Sequence, residues 1–291
     1  MGTALVTGAT SGIGLELAWQ LAEAHHDLVL VARTRERLER VATQISQFAG
    51  VGVQVIAADL SIPDDVARVA DRLRVGSPAP GVPVDVAGAE GPADTNGDAA
   101  RADAPHTAAQ VAARPIDLLV NNAGFAVGQP FATGDIAQER RALNVMVGAV
   151  LELTHAAVPG MVARGHGAIL NVSSVTALTA MGTYAAHKAW VRTFTEGLAS
   201  ELRGTGVTAT VLNPGLTRSE FHDRAGMDAD WPDMAWLRAE DVARAALAAV
   251  RRGQVICTPS LRYLGVNALL RIAPRGVVRR VAGHASVRTR Y

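Results

Sequence analysis

The chain has 291 residues, 28 Lys and Arg against 27 Asp and Glu, a formal net charge of +1, and 49% apolar residues. Such a composition is typical of a globular protein with a sizeable core, and so small a charge excludes bulk attraction to nucleic acid or to an anionic membrane. Its single cysteine, Cys257, excludes an internal disulfide and a thiolate metal site.

No segment of the chain reads as a signal peptide or as a membrane span. The first residues lack a basic start followed by an apolar stretch, and no uninterrupted apolar run reaches about 18 residues. The most apolar window, 143–163, is interrupted by Asn144, Glu152, His155 and Pro159, which favours a buried amphipathic helix. We expect a cytoplasmic protein that does not bind nucleic acid.

Short β-branched runs alternate with longer segments of helical periodicity. The predicted strands are 4–7, 28–31, 53–56, 117–120, 168–172, 208–212 and 254–257. Near-continuous apolar strands separated by helices predict a parallel sheet covered on both faces, which is the doubly wound α/β architecture or Rossmann fold. We predict a single domain over residues 1–257, with its ligand beyond the carboxyl ends of the strands.

A glycine-rich loop, TGATSGIG at 7–14, joins the first predicted strand to the first predicted helix. Gly8 permits a tight turn, Gly12 lets the backbone approach a phosphate, and Gly14 lets the helix pack closely on the strand. Free N–H groups at the start of the helix favour an anion. The loop therefore predicts a dinucleotide-binding site. Its other predicted cofactor contacts are Thr10, Ser11 and Ile13.

The end of the second predicted strand bears on the choice of dinucleotide. An acidic residue there would bind the ribose 2′-hydroxyl of NAD, but this chain has Arg33 and Arg35, whose guanidinium groups suit the 2′-phosphate of NADP. We predict NADP (NADPH) as the cofactor, with NAD less favoured. In the alternative interpretation, both arginines are solvated residues at the start of a charged surface helix.

Residues 75–114 interrupt the alternation of strands and helices. They are dense in Ala, Gly, Pro and Asp and nearly free of large apolar side chains, so they bury too little surface to offset the entropy of ordering. We predict a surface insertion that is disordered over most of its length, with a short helix near its end at 107–114.

Four motifs occur in a characteristic order: TGxxxGxG at 7–14, NNAG at 121–124, YxxxK at 184–188 and PG at 214–215. On these motifs the chain resembles the short-chain dehydrogenase/reductase family over about residues 3–257, apart from the insertion. The resemblance implies an oxidoreductase with a nicotinamide cofactor. The further cofactor contacts that it implies are Asp59, Leu60, Asn122, Ala123, Gly124, Tyr184, Lys188, Pro214, Gly215, Thr217 and Ser219.

The resemblance places catalysis at Asn144, Ser174, Tyr184 and Lys188. Residues four apart lie on one face of a helix, so Tyr184 and Lys188 can share a site. A free phenol titrates at about pH 10, and a neighbouring ammonium would lower that pKa. We expect Tyr184 to act as the general acid in reduction, a role worth about 10²–10⁴-fold in rate.

Two other polar side chains complete the expected catalytic set. Ser174 is expected to donate a hydrogen bond to the substrate oxygen, and its neighbour Ser173 is the alternative. Asn144 resembles the family asparagine that helps to hold a water-linked proton path to the lysine; otherwise it is a core asparagine that bends its helix. No metal site is expected, since His222 has no second ligand at a matching spacing.

Residues 216–237 mix aromatic, methionine and charged side chains without clean periodicity, which is typical of a mobile substrate lid. The side chains that indicate a fairly apolar substrate are Phe221, Met227, Trp231 and Trp236. The tail, residues 258–291, has seven arginines interleaved with leucine, isoleucine and valine, no acidic residue, and a break at Pro274. It predicts two amphipathic helices that either contact an anionic membrane or a partner, or pack on the domain with their arginines solvated.

These patterns predict an NADP-dependent oxidoreductase that interconverts a carbonyl and a secondary alcohol on a fairly apolar small molecule. The alternatives are an NAD-dependent alcohol dehydrogenase and a catalytically silent nucleotide-binding regulator or scaffold. The helix of Tyr184 continues with Val191, Phe194 and Leu198, a stripe that the resemblance assigns to subunit contact. We therefore expect a homodimer or homotetramer.

Overall fold

The structure is a computed structural model that describes residues 2–77, 106–220 and 232–282. Its centre is a parallel sheet of seven strands in the order β3-β2-β1-β4-β5-β6-β7. The strands are β1 (Thr3–Thr7), β2 (Asp27–Ala32), β3 (Val53–Ala57), β4 (Leu118–Asn121), β5 (Gly167–Val172), β6 (Val207–Leu212) and β7 (Ile256–Cys257). The predicted doubly wound fold is confirmed, with each predicted strand in place.

Helices cover both faces of the sheet. They are α1 (Gly12–Glu23), α2 (Arg35–Ala49), α3 (Pro63–Leu73), α4 (Ala108–Ala113), α5 (Ile136–Leu143), α6 (Ala149–Ala163), α7 (Gly182–Glu201), α8 (Ala239–Arg251), α9 (Leu261–Ile272) and α10 (Arg275–Ala282). A π-helical turn, Asn144–Gly148, joins α5 to α6, and 3₁₀ turns occur at Val175–Leu178 and Asp233–Ala235.

Two hydrophobic cores lie on opposite faces of the sheet. Leu28 and Leu30 of β2 join the core of α1, α2 and α8, whereas Val29 and Val31 join the core of α3, α6 and the end of α7. Successive side chains of a strand point to opposite faces, so a strand covered on both sides needs an unbroken apolar run. For this reason, the apolar runs in the sequence predicted the positions of the strands.

A chain of buried amides fixes α7 to the middle of the sheet. Asn121 Nδ2 donates hydrogen bonds to Asn171 Oδ1 at 2.9 Å and to Thr154 Oγ1 at 3.1 Å. Asn171 Nδ2 donates in turn to Thr195 Oγ1 at 2.9 Å, and all four residues are buried. The network joins β4, β5, α6 and α7, and α7 is the helix that carries the predicted catalytic pair.

The predicted insertion, 75–114, falls mostly on residues 78–105, which lie outside the described part of the chain. The short helix predicted near its end is present as α4. Val111 of this helix is fully buried, because α4 packs on the sheet edge, and Arg114 Nη1 donates to buried Asp27 at 3.2 Å.

The predicted core helix forms as α5, the π-turn and α6. This helix, Ile136–Ala163, is long and apolar enough to cross a membrane, but 56% of its most apolar window is buried inside the protein. It therefore packs as a core helix does.

The predicted subunit stripe on α7 is only partly available. Val191 is 1% exposed, and Leu198 packs against the second core. Phe194 stacks on Trp190 with ring centroids 4.8 Å apart. The assignment of Val191 to subunit contact was wrong, because the helix buries this residue within its own chain.

Replacing Asn171 with leucine should lower the free energy of unfolding by about 2–4 kcal/mol, because Asn121 and Thr195 each lose a buried hydrogen-bond partner. Denaturant unfolding followed by circular dichroism measures the loss. The control is Gln138→Leu, which replaces an exposed amide on α5 and should change stability by less than about 0.5 kcal/mol. Equal stabilities of the two variants would contradict the role of the network.

Candidate active site

One cavity opens beyond the carboxyl ends of the strands, where a doubly wound sheet binds its ligand. The predicted residues that line it are Gly8, Thr10, Ser11, Gly12, Ile13, Arg33, Asp59, Leu60, Asn122, Ala123, Gly124, Ser174, Tyr184, Lys188, Pro214, Gly215, Thr217 and Ser219. Three predicted site residues are not part of the lining: Gly14, Arg35 and Asn144. The lining also includes Ser173, the alternative to Ser174, and residues that the sequence did not predict: Val31, Ala32, Thr34, Arg37, Ala58, Phe125, Arg141, Val145 and Val172.

The glycine loop has the backbone that close approach requires. Gly12 has φ +54°, and a Cβ there would lie 2.8 Å from Ser219 Cβ on the opposite wall of the cavity. Gly14 lies behind the lining, where a Cβ would collide with Gly8 O and with Asn122 Nδ2. The two glycines therefore have different roles, since Gly12 keeps the cavity open and Gly14 lets α1 start against β1.

The NNAG motif holds the glycine loop in place. Asn122 Nδ2 donates to Thr7 O at 3.0 Å and to Gly8 O at 3.3 Å. Thr7 Oγ1 accepts from Asn122 N at 3.0 Å and from Ala123 N at 3.1 Å. The end of β4 is thereby fixed to the end of β1, and the two predicted motifs form a single unit.

Arginines line the cavity beside the end of β2. Arg33 is exposed there, and Arg37 forms a bidentate ion pair with Glu220 at 3.1 and 2.5 Å. Arg35 lies outside the cavity with its side chain 60% exposed and pairs with Glu39 at 3.4 Å. The structure thus separates the two predicted arginines, because α2 begins at Arg35 and turns it outward.

Asp59 is an ionised group in the cavity wall. It accepts hydrogen bonds from Ser61 N at 3.0 Å, Ser61 Oγ at 2.7 Å and Arg141 Nη2 at 2.5 Å. Burial opposes ionisation of the carboxyl, but the bonds from Ser61 and Arg141 outweigh burial and lower the pKa of Asp59. The sequence did not predict that Arg141 contacts Asp59, because only the tertiary fold brings α5 to this carboxylate.

Tyr184, Lys188 and Ser174 meet at the same cavity. Lys188 Nζ lies 5.7 Å from the centre of the Tyr184 ring and donates to Val172 O at 2.8 Å. Tyr184 forms a side-chain hydrogen bond with Ser174. The hydroxyl of Ser173, the alternative serine, donates instead to Lys188 O at 2.6 Å. The geometry therefore favours Ser174 over Ser173 beside the phenol.

Burial dominates the ionisation of this pair. Burial raises the pKa of Tyr184, and the hydrogen bond from Ser174 opposes that rise only in part. Burial lowers the pKa of Lys188 to about 8. The pKa shift of Tyr184 is opposite to the one predicted from the sequence, because partial burial in the cavity wall disfavours the charged phenolate. A phenol with a raised pKa stays protonated at neutral pH, as a proton donor must.

Asn144 begins the π-turn and is exposed. Its Nδ2 donates to Ser61 O at 3.2 Å, and its carbonyl accepts from Ala149 N in the wider π-helical hydrogen bond. The interpretation as a core asparagine was wrong, since the side chain faces outward. Within residues 2–77, 106–220 and 232–282, no cluster of three or more His, Cys, Asp or Glu side chains is arranged to hold a metal ion.

The difference in the free energy of unfolding between the wild type and the Lys188→Met variant should depend on pH. The folded-state pKa of Lys188 is depressed to about 8 from 10.5, so the unfolded chain binds more protons between these values, and wild-type stability rises with pH there. Unfolding of both proteins by denaturant from pH 7 to 10 should show the free energy of unfolding of the wild type rising by about 2–3 kcal/mol relative to that of the variant. A difference that is constant with pH would contradict the buried-amine assignment.

Comparison with known proteins identifies the family. The family model described as short chain dehydrogenase matches residues 2–100 and 92–229. Sulfoacetaldehyde reductase 2 of Chromohalobacter salexigens is 33% identical over 252 residues, which are 82% of this chain and 84% of that protein.

Solved structures agree with the family match. A short-chain dehydrogenase from Sphingobium yanoikuyae in complex with NADPH is 30% identical with a TM-score of 0.74, and the match covers 100% of both chains. The bulky-bulky ketone specific alcohol dehydrogenase from Comamonas testosteroni is 25% identical with a TM-score of 0.70, over 97% of this chain and 98% of that one. The resemblance read from the four motifs is confirmed, and the chain belongs to the short-chain dehydrogenase/reductase family.

Proposed function

We propose that this protein is an NADPH-dependent ketoreductase that reduces a carbonyl on a fairly apolar small molecule and can oxidise the corresponding alcohol. The observation that carries the proposal is the meeting of Tyr184, Ser174 and Lys188 in one cavity with the glycine loop. Support also comes from the relatives, of which one is named a reductase and another was solved with NADPH.

The cavity fits a dinucleotide phosphate at the glycine loop. Gly12 leaves open the space that a Cβ would fill, and the free N–H groups at the start of α1 favour an anion. Arg33 would bind the 2′-phosphate, since the cavity-lining residues that follow β2 are Arg33, Thr34 and Arg37, with no acidic side chain to bind a 2′-hydroxyl. NADPH, when bound there, would be the source of the hydride for the substrate carbon.

Tyr184 then donates its proton to the substrate oxygen. Its raised pKa keeps the phenol protonated until the oxygen becomes basic, and Ser174 Oγ donates a hydrogen bond to the same oxygen. Lys188 carries a positive charge below about pH 8 and stabilises the phenolate that remains. Tyr184 and Lys188 lie on α7 and Ser174 follows β5, so the packing of α7 on the sheet sets their positions before the substrate arrives.

The substrate preference rests on the apolar part of the lining. Phe125 and Val145 line the cavity near the catalytic groups, which supports a fairly apolar carbonyl compound. Three of the aromatic and methionine residues that suggested this preference lie outside the described residues: Phe221, Met227 and Trp231. Assembly as a homodimer or homotetramer remains a prediction from the family resemblance.

Replacing Tyr184 with phenylalanine should lower kcat by about 10²–10⁴-fold, because the variant has no proton to donate. Oxidation of NADPH is followed by absorbance against a panel of ketones, aldehydes and acyl-thioester ketones. The dissociation constant of NADPH, measured by fluorescence, should change little and is the control for folding. A variant as active as the wild type would overturn the mechanism and favour a silent nucleotide-binding protein.

Arg33→Asp should lower the preference for NADPH over NADH in kcat/KM by roughly 10–100-fold, because a charge-assisted contact with the 2′-phosphate is lost. Arg35→Asp is the matched control, since it makes the same charge change outside the cavity. An unchanged preference for NADPH over NADH in the Arg33 variant, or an equal change in both variants, would contradict the NADP assignment.

A further inference from the structure

The two C-terminal helices expose an apolar surface to solvent. Its large side chains are Leu261, Leu264, Val266, Leu269, Ile272, Val277 and Val281, and each is at least 44% exposed. On α9 the opposite side faces the protein, with Asn267 6% exposed. We call the exposed side of α9 and α10 the outer face. The sequence left open whether this stripe packs on the domain, and the outer face does not pack on any described residue closely enough to bury it.

Arginines accompany the outer face. The five in the described residues are Arg262, Arg271, Arg275, Arg279 and Arg280, and residues 258–291 contain no Asp or Glu. At 100° per residue, Arg262 and Arg271 lie on the two flanks of the stripe formed by Leu261 and Ile272. Within residues 2–77, 106–220 and 232–282, none of the five forms an ion pair; Arg262 and Arg275 donate instead to backbone carbonyls. The outer face therefore combines exposed apolar side chains with positive charge.

Charge decides between two possible occupants of this surface. A second copy related by a two-fold axis would bring the same patch against itself, so arginine would face arginine with no acidic residue of the tail to neutralise it. An anionic lipid surface offers phosphate to the flanking arginines and an apolar interior to the leucines. We propose that the outer face of α9 and α10 docks on anionic lipid.

Docking in this way would bring the cavity close to the membrane. Helix α9 packs against the turn Val175–Leu178, which follows Ser174, and Arg275 Nη1 donates to Leu178 O at 3.1 Å. A fairly apolar carbonyl compound partitions into lipid, so a docked enzyme would meet its substrate where it is most concentrated. Docking itself does not depend on the reaction.

Co-sedimentation of the full chain with phosphatidylcholine vesicles, with and without phosphatidylglycerol, tests the proposal. Only the vesicles with phosphatidylglycerol should bind the wild type. Arg271→Glu/Arg279→Glu should weaken binding by at least about 30-fold, since each basic residue at the surface contributes a factor of about five. The matched control is Arg40→Glu/Arg251→Glu, with the same charge change at exposed sites on α2 and α8, and it should bind as the wild type does.

The apolar contribution is tested by Leu269→Ser/Ile272→Ser, which should also release the protein from the vesicles. No binding by the wild type, or equal weakening in both arginine variants, would overturn the proposal. So would a wild-type oligomer, seen by analytical ultracentrifugation, that dissociates in the Leu269→Ser/Ile272→Ser variant, because that result assigns the face to a second copy of this chain.

The inner side of α9 carries a second, independent observation. The ring of Tyr263 packs on Gly215, where a Cβ would overlap it. Its hydroxyl accepts from Leu216 N at 3.1 Å and donates to Ala235 O at 2.7 Å. Pro214 and Gly215 line the cavity. One side chain from the tail therefore contacts the loop after β6 at Gly215 and Leu216 and joins it to the turn Asp233–Ala235.

We infer that Tyr263 is a positioning residue for cofactor binding, which rests on the proposed function. Tyr263→Phe keeps the ring and loses the hydroxyl, so the KM and dissociation constant of NADPH should rise about 3–10-fold with kcat within twofold. Thr210→Val is the control for a purely structural effect, because it removes a buried hydroxyl, bonded to Gln254 O at 2.9 Å, outside the cavity. It should lower stability and leave the KM unchanged.

Equal NADPH binding by the wild type and the Tyr263→Phe variant would overturn this inference alone. A wild type that fails to bind NADPH would overturn the proposed function and this inference with it. A Tyr263→Phe variant that only loses stability, as Thr210→Val does, would assign Tyr263 to the fold rather than to cofactor binding.

Discussion

The attachment of α7 to β5 is the constraint on which the site depends. Asn171 of β5 bonds to Thr195, Ser173 Oγ to Lys188 O, and Lys188 Nζ to Val172 O. These bonds lie along one side of the helix and are buried, so α7 has a single register on the sheet. That register brings the phenol beside Ser174 and takes the amine out of water. The electrostatics of the site are thus set by the packing of a helix rather than by the catalytic side chains alone.

The cofactor side of the cavity is organised by a different principle, close backbone contact. Asn122 holds the ends of β1 and β4 together, Gly12 leaves room for a ligand, and Tyr263 supports the loop after β6. This arrangement suits a dinucleotide phosphate, which N–H groups and positive charge bind. The two halves of the site meet at Gly124, where a Cβ would lie 3.4 Å from Lys188 Nζ.

The sequence predicted the features that depend on short-range pattern. Apolar runs located the strands because both faces of the sheet are buried, and the four-residue spacing of Tyr184 and Lys188 placed them together. The sequence did not predict the features that depend on tertiary packing. The direction of the Tyr184 pKa follows from burial, the outward turn of Arg35 follows from the start of α2, and Arg141 reaches Asp59 only through the fold. A local sequence pattern does not predict these tertiary distances.

Helix α4, near the end of the predicted insertion, is attached to the sheet. Val111 is fully buried and Arg114 bonds to Asp27, so this helix is anchored by its own contacts with the sheet edge. The cavity lies elsewhere, beyond the carboxyl ends of the strands. A reporter domain inserted between Leu73 and Ala108 would therefore leave the contacts of Val111 and Arg114 with the sheet in place.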